Sequence, residues 1–213
     1  MAIARDSSSV NTSGSNFSFT NTAGNFLLVC VRGDLASDNV SAVTYNGVSM
    51  TQVAKVIDAT DRSIYMYRLA SPATGSNTVA ITASGGGWVV AHCISYSGVD
   101  TASPMAATAQ TKDEASVSSQ SISVTTTVDN AWLVGFFATN TDKTYTPDSG
   151  TTTVQSGGSV STASCDSNGA KTPTGSYALG YGYGSAAAFA EGIVSAIAPG
   201  AEVTGGGFIY MSV

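Results

Sequence analysis

No stretch of this chain sustains an apolar period of 3.6 residues with helix caps at its ends. Short segments that alternate with period two recur throughout, separated by Gly, Asn, Asp, Ser and Thr. That pattern restricts the 213-residue chain to an all-β fold. Ala186 to Ala190 could form at most one helical turn. The predicted strands are Asn16–Thr20, Phe26–Arg32, Val40–Tyr45, Val48–Ile57, Ser63–Leu69, Asn77–Thr82, Trp88–Val99, Val117–Thr127 and Ala131–Ala138. Shorter ones follow near 151–156, 159–164, 176–183, 192–198 and 207–213. Asn46-Gly47 supplies the positive φ angles of a tight hairpin turn. Residues 1–15, rich in Ser, Asn and Thr, read as a flexible arm. Residues 100–115 read as an irregular crossing over one end of the sheets, and 140–150 as a polar loop.

The two halves repeat weakly. G-N-F-L-L-V-C-V begins at Gly24 and D-N-A-W-L-V-G-F-F at Asp129, each after a Ser/Thr-rich alternating strand. A-H-C-I-S-Y-S-G-V-D (91–100) and G-I-V-S-A-I-A-P-G-A (192–201) close the halves. A period near a hundred residues is too long for a solenoid and suits two similar halves of one sandwich. No Pro-rich or charged linker divides them, so residues 16–204 read as a single two-sheet antiparallel β-sandwich of jelly-roll type. Residues 205–213 read as a terminal strand or tail in contact with a neighbour.

Hydrophobic residues make up 43% of the chain, enough for a core, whereas charged residues make up only 10%. The polar surface is therefore neutral and rich in hydroxyls. A net charge of −6 and the lack of any Lys/Arg cluster exclude the basic face that nucleic acid requires. No apolar run approaches membrane-spanning length, and the first sixteen residues carry no signal-peptide core, which predicts synthesis in a cytosol. Sheet edges in such a fold need blunting by charge or covering by neighbours. With so few charges, neighbouring chains are the expected cover.

The chain holds three cysteines and one histidine. Cys30 and Cys93 lie in apolar strands and read as small core residues; a bridge between them requires their Cβ atoms to meet. Cys165 lies in the turn-like C-D-S-N-G. There is no Cys/His ligand spacing for zinc. Any imidazole chemistry must use His92, which shares a strand face with Trp88 and Ile94, as a packing residue would. No G-x-S-x-G nucleophile elbow accompanies it. Asp58, Asp61, Asp113, Glu114 and Glu191 show no pairing of the kind a glycosidase needs. Calcium could use the oxygen-rich pairs Asp34 with Asp38, Asp58 with Asp61, Asp142 with Asp148, or Asp166 with Asn168, although the last reads more simply as a turn. Arg32-Gly33-Asp34 matches an adhesion tripeptide but sits where a strand opens into a turn. Tyr177, Tyr181 and Tyr183 alternate with small residues and form an aromatic face. If exposed, it could stack on a sugar; if buried, it is core or interface. No cofactor motif is present: the Gly180–Gly184 run lacks the lysine and the strand–turn–helix setting of a phosphate loop.

The runs N-F-L-L-V-C-V, V-S-A-V-T-Y-N-G-V-S-M-T-Q-V, I-Y-M-Y-R-L-A-S-P-A-T-G-S-N-T-V-A-I-T and I-S-Y-S-G-V-D-T-A-S-P together resemble a jelly-roll module of bacteriophage virion proteins. The module is also found in some bacterial surface proteins. The resemblance spans roughly residues 16–200 and rests on turn and core residues. It implies a non-enzymatic structural role in the virion, as a capsid decoration or auxiliary subunit, or as part of a collar, tail or fibre. The implied partners are other virion proteins and further copies of the chain, on the particle exterior. The alternative it leaves open is a carbohydrate- or receptor-binding module that uses the tyrosine face.

Overall fold

The computed structural model describes residues 1–12, 14–58, 62–85, 89–157 and 161–201. Its strands in the first half are β1 (Ala4–Asn11), β2 (Asn16–Asn21), β3 (Phe26–Gly33), β4 (Val40–Tyr45), β5 (Val48–Ser49), β6 (Thr51–Ile57), β7 (Ser63–Ala70), β8 (Gly75–Ala83) and β9 (Val89–Ser97). The second half holds β10 (Gln110–Thr125), β11 (Trp132–Thr139), β12 (Thr146–Pro147), β13 (Thr152–Gly157), β14 (Thr162–Asp166) and β15 (Ser176–Ile197). Every pairing between them is antiparallel, and among the described residues there is no helix.

The first half pairs from the outside inward: β1 with β9, β2 with β8, β3 with β7, and β4 with β5. Successive pairs fall alternately in two facing sheets, ordered β1-β9-β3-β7-β6 and β2-β8-β4-β5. The second half repeats the scheme with fewer breaks. Residues 110–117 of β10 pair with 187–194 of β15, and 119–125 with 176–182, so one long antiparallel strand pair serves both layers. The inner order β10-β15-β11-β14-β13 matches that of the first half strand for strand. The register matches as well. Phe26 faces Tyr96 and Gly33 faces Val89 in one half; Trp132 faces Ile197 and Thr139 faces Ala190 in the other. The closing segments then meet each other, with Val99 bridging Pro199 and the Gly200 amide donating to Gly98 O at 2.8 Å.

Period-two alternation explains the layering. Leu27, Val29 and Val31 point to the β2-β8-β4 side, into a core with Phe19, Val43, Tyr45 and Val79. Phe26, Leu28 and Cys30 point the other way and pack, with Ile94 and Tyr96, on Trp132, Val134, Phe136 and Ile197. Leu133 and Phe137 reach a third core with Ile122, Leu179, Tyr181 and Tyr183. The result is four layers in series, built from three hydrogen-bonded sheets. The all-β antiparallel sandwich that the strand pattern predicts is present, and the facing layers of each half enclose a core of their own.

Several local expectations are corrected. Residues 4–11, expected as an arm, form β1 on the edge of β9; polar side chains hide the strand from a hydropathy reading because it lies at a sheet edge. The crossing expected at 100–115 ends early, since β10 starts at Gln110. Residues 176–183 and 192–198, expected as separate strands around a helical turn, are one strand. Cross-strand pairing with β10 overrides the local preference of Ala186 to Ala190. Asn46 and Gly47 take φ of 50° and 75°, as a tight hairpin requires. Trp88, Asp61 and residues 205–213 lie outside the described residues.

Candidate functional site

Most of the chemistry-bearing side chains converge on the contact between the two halves. β14 carries Thr162, Ser164 and Asp166 on one face and Ala163 and Cys165 on the other, because side chains alternate. The polar face meets His92 and Tyr96 of β9. The imidazole lies 3.0 Å from Ser164 Oγ through Nδ1 and 3.0 Å from Thr162 Oγ1 through Nε2. Its ring stands edge-on to Phe136, with centroids 5.2 Å apart. Burial disfavours the charged ring and lowers its pKa to about 3. A neutral imidazole donates from one nitrogen and accepts at the other, and two rotatable hydroxyls satisfy both. The Ser–His contact thus exists, but at 0% exposure no substrate reaches it. At the equivalent positions across the pseudo-twofold, identified by the shared register, stand Ile193, Met66 and Ile64. One side of the contact is polar and its counterpart apolar.

Asp166 is fully buried and gripped from both halves. Arg5 of β1 forks onto it, Nε to Oδ2 at 3.0 Å and Nη2 to Oδ1 at 2.8 Å. The Tyr96 hydroxyl donates to Oδ2 at 3.1 Å, and the Asn168 amide donates to Oδ1 at 2.9 Å. Burial, and then the neighbouring carboxylate, push the Tyr96 phenol well above its ordinary pKa. Next to Arg5, Asp6 accepts from Ser95 Oγ at 2.9 Å, from the Thr22 and Ala23 amides at 3.0 and 3.1 Å, and from Ser7 Oγ at 3.1 Å. Burial works against that charge, but the four donors outweigh it and hold the carboxyl below its ordinary range.

The remaining candidates resolve individually. Tyr181 and Tyr183 are buried in the second-half core, 0% and 1% exposed. Tyr181 packs edge-on to Phe137 and Tyr145 and donates to Thr153 Oγ1. They are core residues, the buried one of the two alternatives that the alternation leaves open. Tyr177 alone is half-exposed, with Lys171 5.8 Å from its ring centroid. Cys30 and Cys93 sit on adjacent strands but point to opposite faces of one sheet. All three thiols are free. Arg32 is buried and donates to Thr139 O at 3.2 Å, so the Arg-Gly-Asp tripeptide is not displayed.

The acidic pairs separate. Asp34 binds Arg62 at 3.0 Å and Asp38 binds Lys55, while Asp142 accepts from Ser161. Asp58 instead meets Asp113 and Glu191, with carboxylate oxygens all within 4.8 Å of one another. Burial and the Asp58 charge raise the Asp113 pKa. Of the described residues, this oxygen set is the one that could hold a hard divalent ion. Sequence proximity, which suggested Asp58 with Asp61, does not find it, because its members come from three separate parts of the chain.

At one end, Met1, Ile3, Trp132, Ala170 and Pro199 line a half-open groove of about 460 Å³.

The fold and its polar contacts define an antiparallel double β-sandwich whose histidine and buried aspartate are committed to joining its halves. Comparison of the chain with protein-family profiles, with curated protein sequences and with solved structures returned no match.

Proposed function

We propose that the protein is a non-enzymatic bacteriophage virion protein of jelly-roll construction, a capsid decoration or auxiliary subunit that stabilises the particle through contacts between subunits. The observation that carries this reading is the nested pairing of the first half, first strand with last and second with penultimate, distributed alternately over two facing sheets, with the pairs β10-β15 and β11-β14 nested likewise within the one sheet of the second half. Nested pairing of this kind supports a jelly-roll reading, an architecture common in capsid and lectin domains. The resemblance of the strand-and-turn pattern to phage virion modules points the same way. The site supports it too, since the imidazole and the three thiols are enclosed in packing contacts.

Partners in this reading are other capsid or tail proteins and further copies of the chain, on the exterior of a particle assembled in a host cytoplasm. A chain with only 10% charged residues joins its neighbours by apolar and hydrogen-bonded contacts, so assembly tolerates salt. The test is quantitative mass spectrometry of gradient-purified particles, before and after a 1 M salt wash (about the ionic strength at which charge contacts are screened within 3 Å). Fixed stoichiometric copies retained through the wash support the reading. Absence from particles, or complete release by salt, overturns it.

A further inference from the structure

β1 is the one strand of its sheet with no buried residue: its eight positions are exposed or half-buried. Val10 is its only large apolar side chain. The strand is held by the β9 edge and by a set of polar contacts, Arg5 to Asp166, Asp6 to Ser95 and the 22–23 amides, and Gln155 Nε2 to Ser8 Oγ at 2.9 Å. Detached, the strand uncovers only Val10, half-buried in place, together with Ile3 just before it, so little apolar surface is exposed on it. Its seat does not tolerate vacancy. Without β1, Asp166 loses the guanidinium paired with it while fully buried, and the β9 edge is left open beside apolar residues. The seat is therefore selective for a strand carrying arginine at its second position and aspartate at its third.

The link to β2 favours movement. In the second half the equivalent passage is continuous through β10, with a bend at Ser116. In the first half it is divided between two strands, β1 ending at Asn11 and β2 starting at Asn16. Gly14 there has φ +134°, a backbone state that residues with a side chain rarely adopt.

We propose that β1 exchanges between two copies of the chain, each seating its Arg5 on the other's Asp166, and that the partner fitting this seat is the β1 of a second copy. Exchange keeps every β1 contact, and only the 12–15 link changes conformation; identical-element exchange is a low-cost route to association. The proposal rests on the structural-subunit reading for its setting and supplies that reading with a specific subunit contact.

The test places cysteines at two directly paired positions, Ala4→Cys with Ser97→Cys, and oxidises the full chain over a range of concentrations. In exchanged dimers the new disulfide joins two chains and runs at twice the mass on a non-reducing gel. In unexchanged molecules, or in dimers formed by any other face, it stays within one chain. The expected result is an interchain band that grows with concentration. Gly14→Ala should raise the dimer-to-monomer ratio about tenfold or more, because it strains only the closed link. Intrachain disulfide alone at every concentration, also with Gly14→Ala, overturns the proposal. As a second readout, differently tagged copies of the unmodified chain should co-purify after incubation together, and persistent failure to mix also overturns it. Repeating the cross-link on purified particles separates the two readings. The chain present with only intrachain disulfides sinks the exchange alone. Exchange in solution with no chain in particles sinks the virion reading alone.

Discussion

Replacing Arg5 with alanine should destabilise the protein far more than an edge-strand residue ordinarily does. Asp166 has a side-chain exposure of 0% and Arg5 one of 28%. Removing one member of a fully buried ion pair costs about 3–5 kcal/mol, because the other charge is stranded. Here the Tyr96 hydroxyl and the Asn168 amide still donate to the carboxylate, and the vacated guanidinium site opens toward water. The expected loss therefore falls below that range, to about 2–3 kcal/mol. For a chain of this size it corresponds to a fall in Tm of roughly 4–12 °C. Urea unfolding at pH 7 measures it, with an unchanged m-value as evidence that only the native contact was altered. Asp166→Asn in the Arg5→Ala background should recover part of the loss, since the stranded charge is then gone. A loss below about 0.5 kcal/mol, the scale of an exposed pair, would refute the claim that the buried carboxylate depends on β1.

His92 predicts a pH dependence. Its pKa is near 3 in the fold and about 6.5 when unfolded. The stability it lends is complete above about pH 6.5 and is lost as pH falls toward 3, at about 1.4 kcal/mol per pH unit between; His92→Ile should abolish that slope in denaturation curves at pH 4–6. His92→Ile alone strands two hydroxyls and should cost about 1–3 kcal/mol, whereas combining it with Thr162→Ile and Ser164→Met, the residues of the equivalent site, should restore most of that in urea melts. The three cysteines, buried and with their thiol pKa values raised by burial, should stay unreactive to a thiol reagent in the native protein and titrate as three free thiols in denaturant; sub-stoichiometric titration would contradict the opposed orientation of Cys30 and Cys93. Tyr181→Ala should lower stability by about 3–5 kcal/mol, as a core deletion does, and a well-folded Tyr181→Ala protein with near-native Tm would contradict its burial.

The fold class is legible because its determinants are local. Asn46-Gly47 writes its own turn, and Phe26 to Arg32 and Ala131 to Ala138 are apolar on both faces, as inner strands between two layers must be. The repeat at Gly24 and Asp129 is legible for the same reason. What escapes is what depends on partners distant in the chain. Edge strand β1 lacks an apolar signature because its hold on the fold is Arg5 reaching Asp166, 161 residues away. The Ala-rich stretch of β15 reads as a helical turn between two strands until β10 is set beside it. Likewise C-D-S-N-G reads as a turn. The alternation T-A-S-C-D just before it, polar on one face, is the signal that β14 presents hydroxyls and a carboxylate to another element. The tyrosines at 181 and 183 cannot be assigned from the pattern alone, since an aromatic face looks the same whether solvent or β11 lies over it.

The matched registers of the two halves have a consequence for synthesis. All strands of the first half, β1 to β9, leave the ribosome before residue 100, so its own two sheets can close while the second half is still being made. The face formed by Phe26, Leu28, Met66 and Ile94 gains its cover only when Trp132, Phe136 and finally Ile197 emerge. During that interval the nascent half presents an apolar surface of the shape that its own later half is built to fit, and a neighbouring nascent chain on the same message carries the identical surface. The asymmetry of the mature contact, hydroxyls and imidazole on one side against Ile193, Met66 and Ile64 on the other, then favours the pairing of first half with second half over the pairing of two first halves.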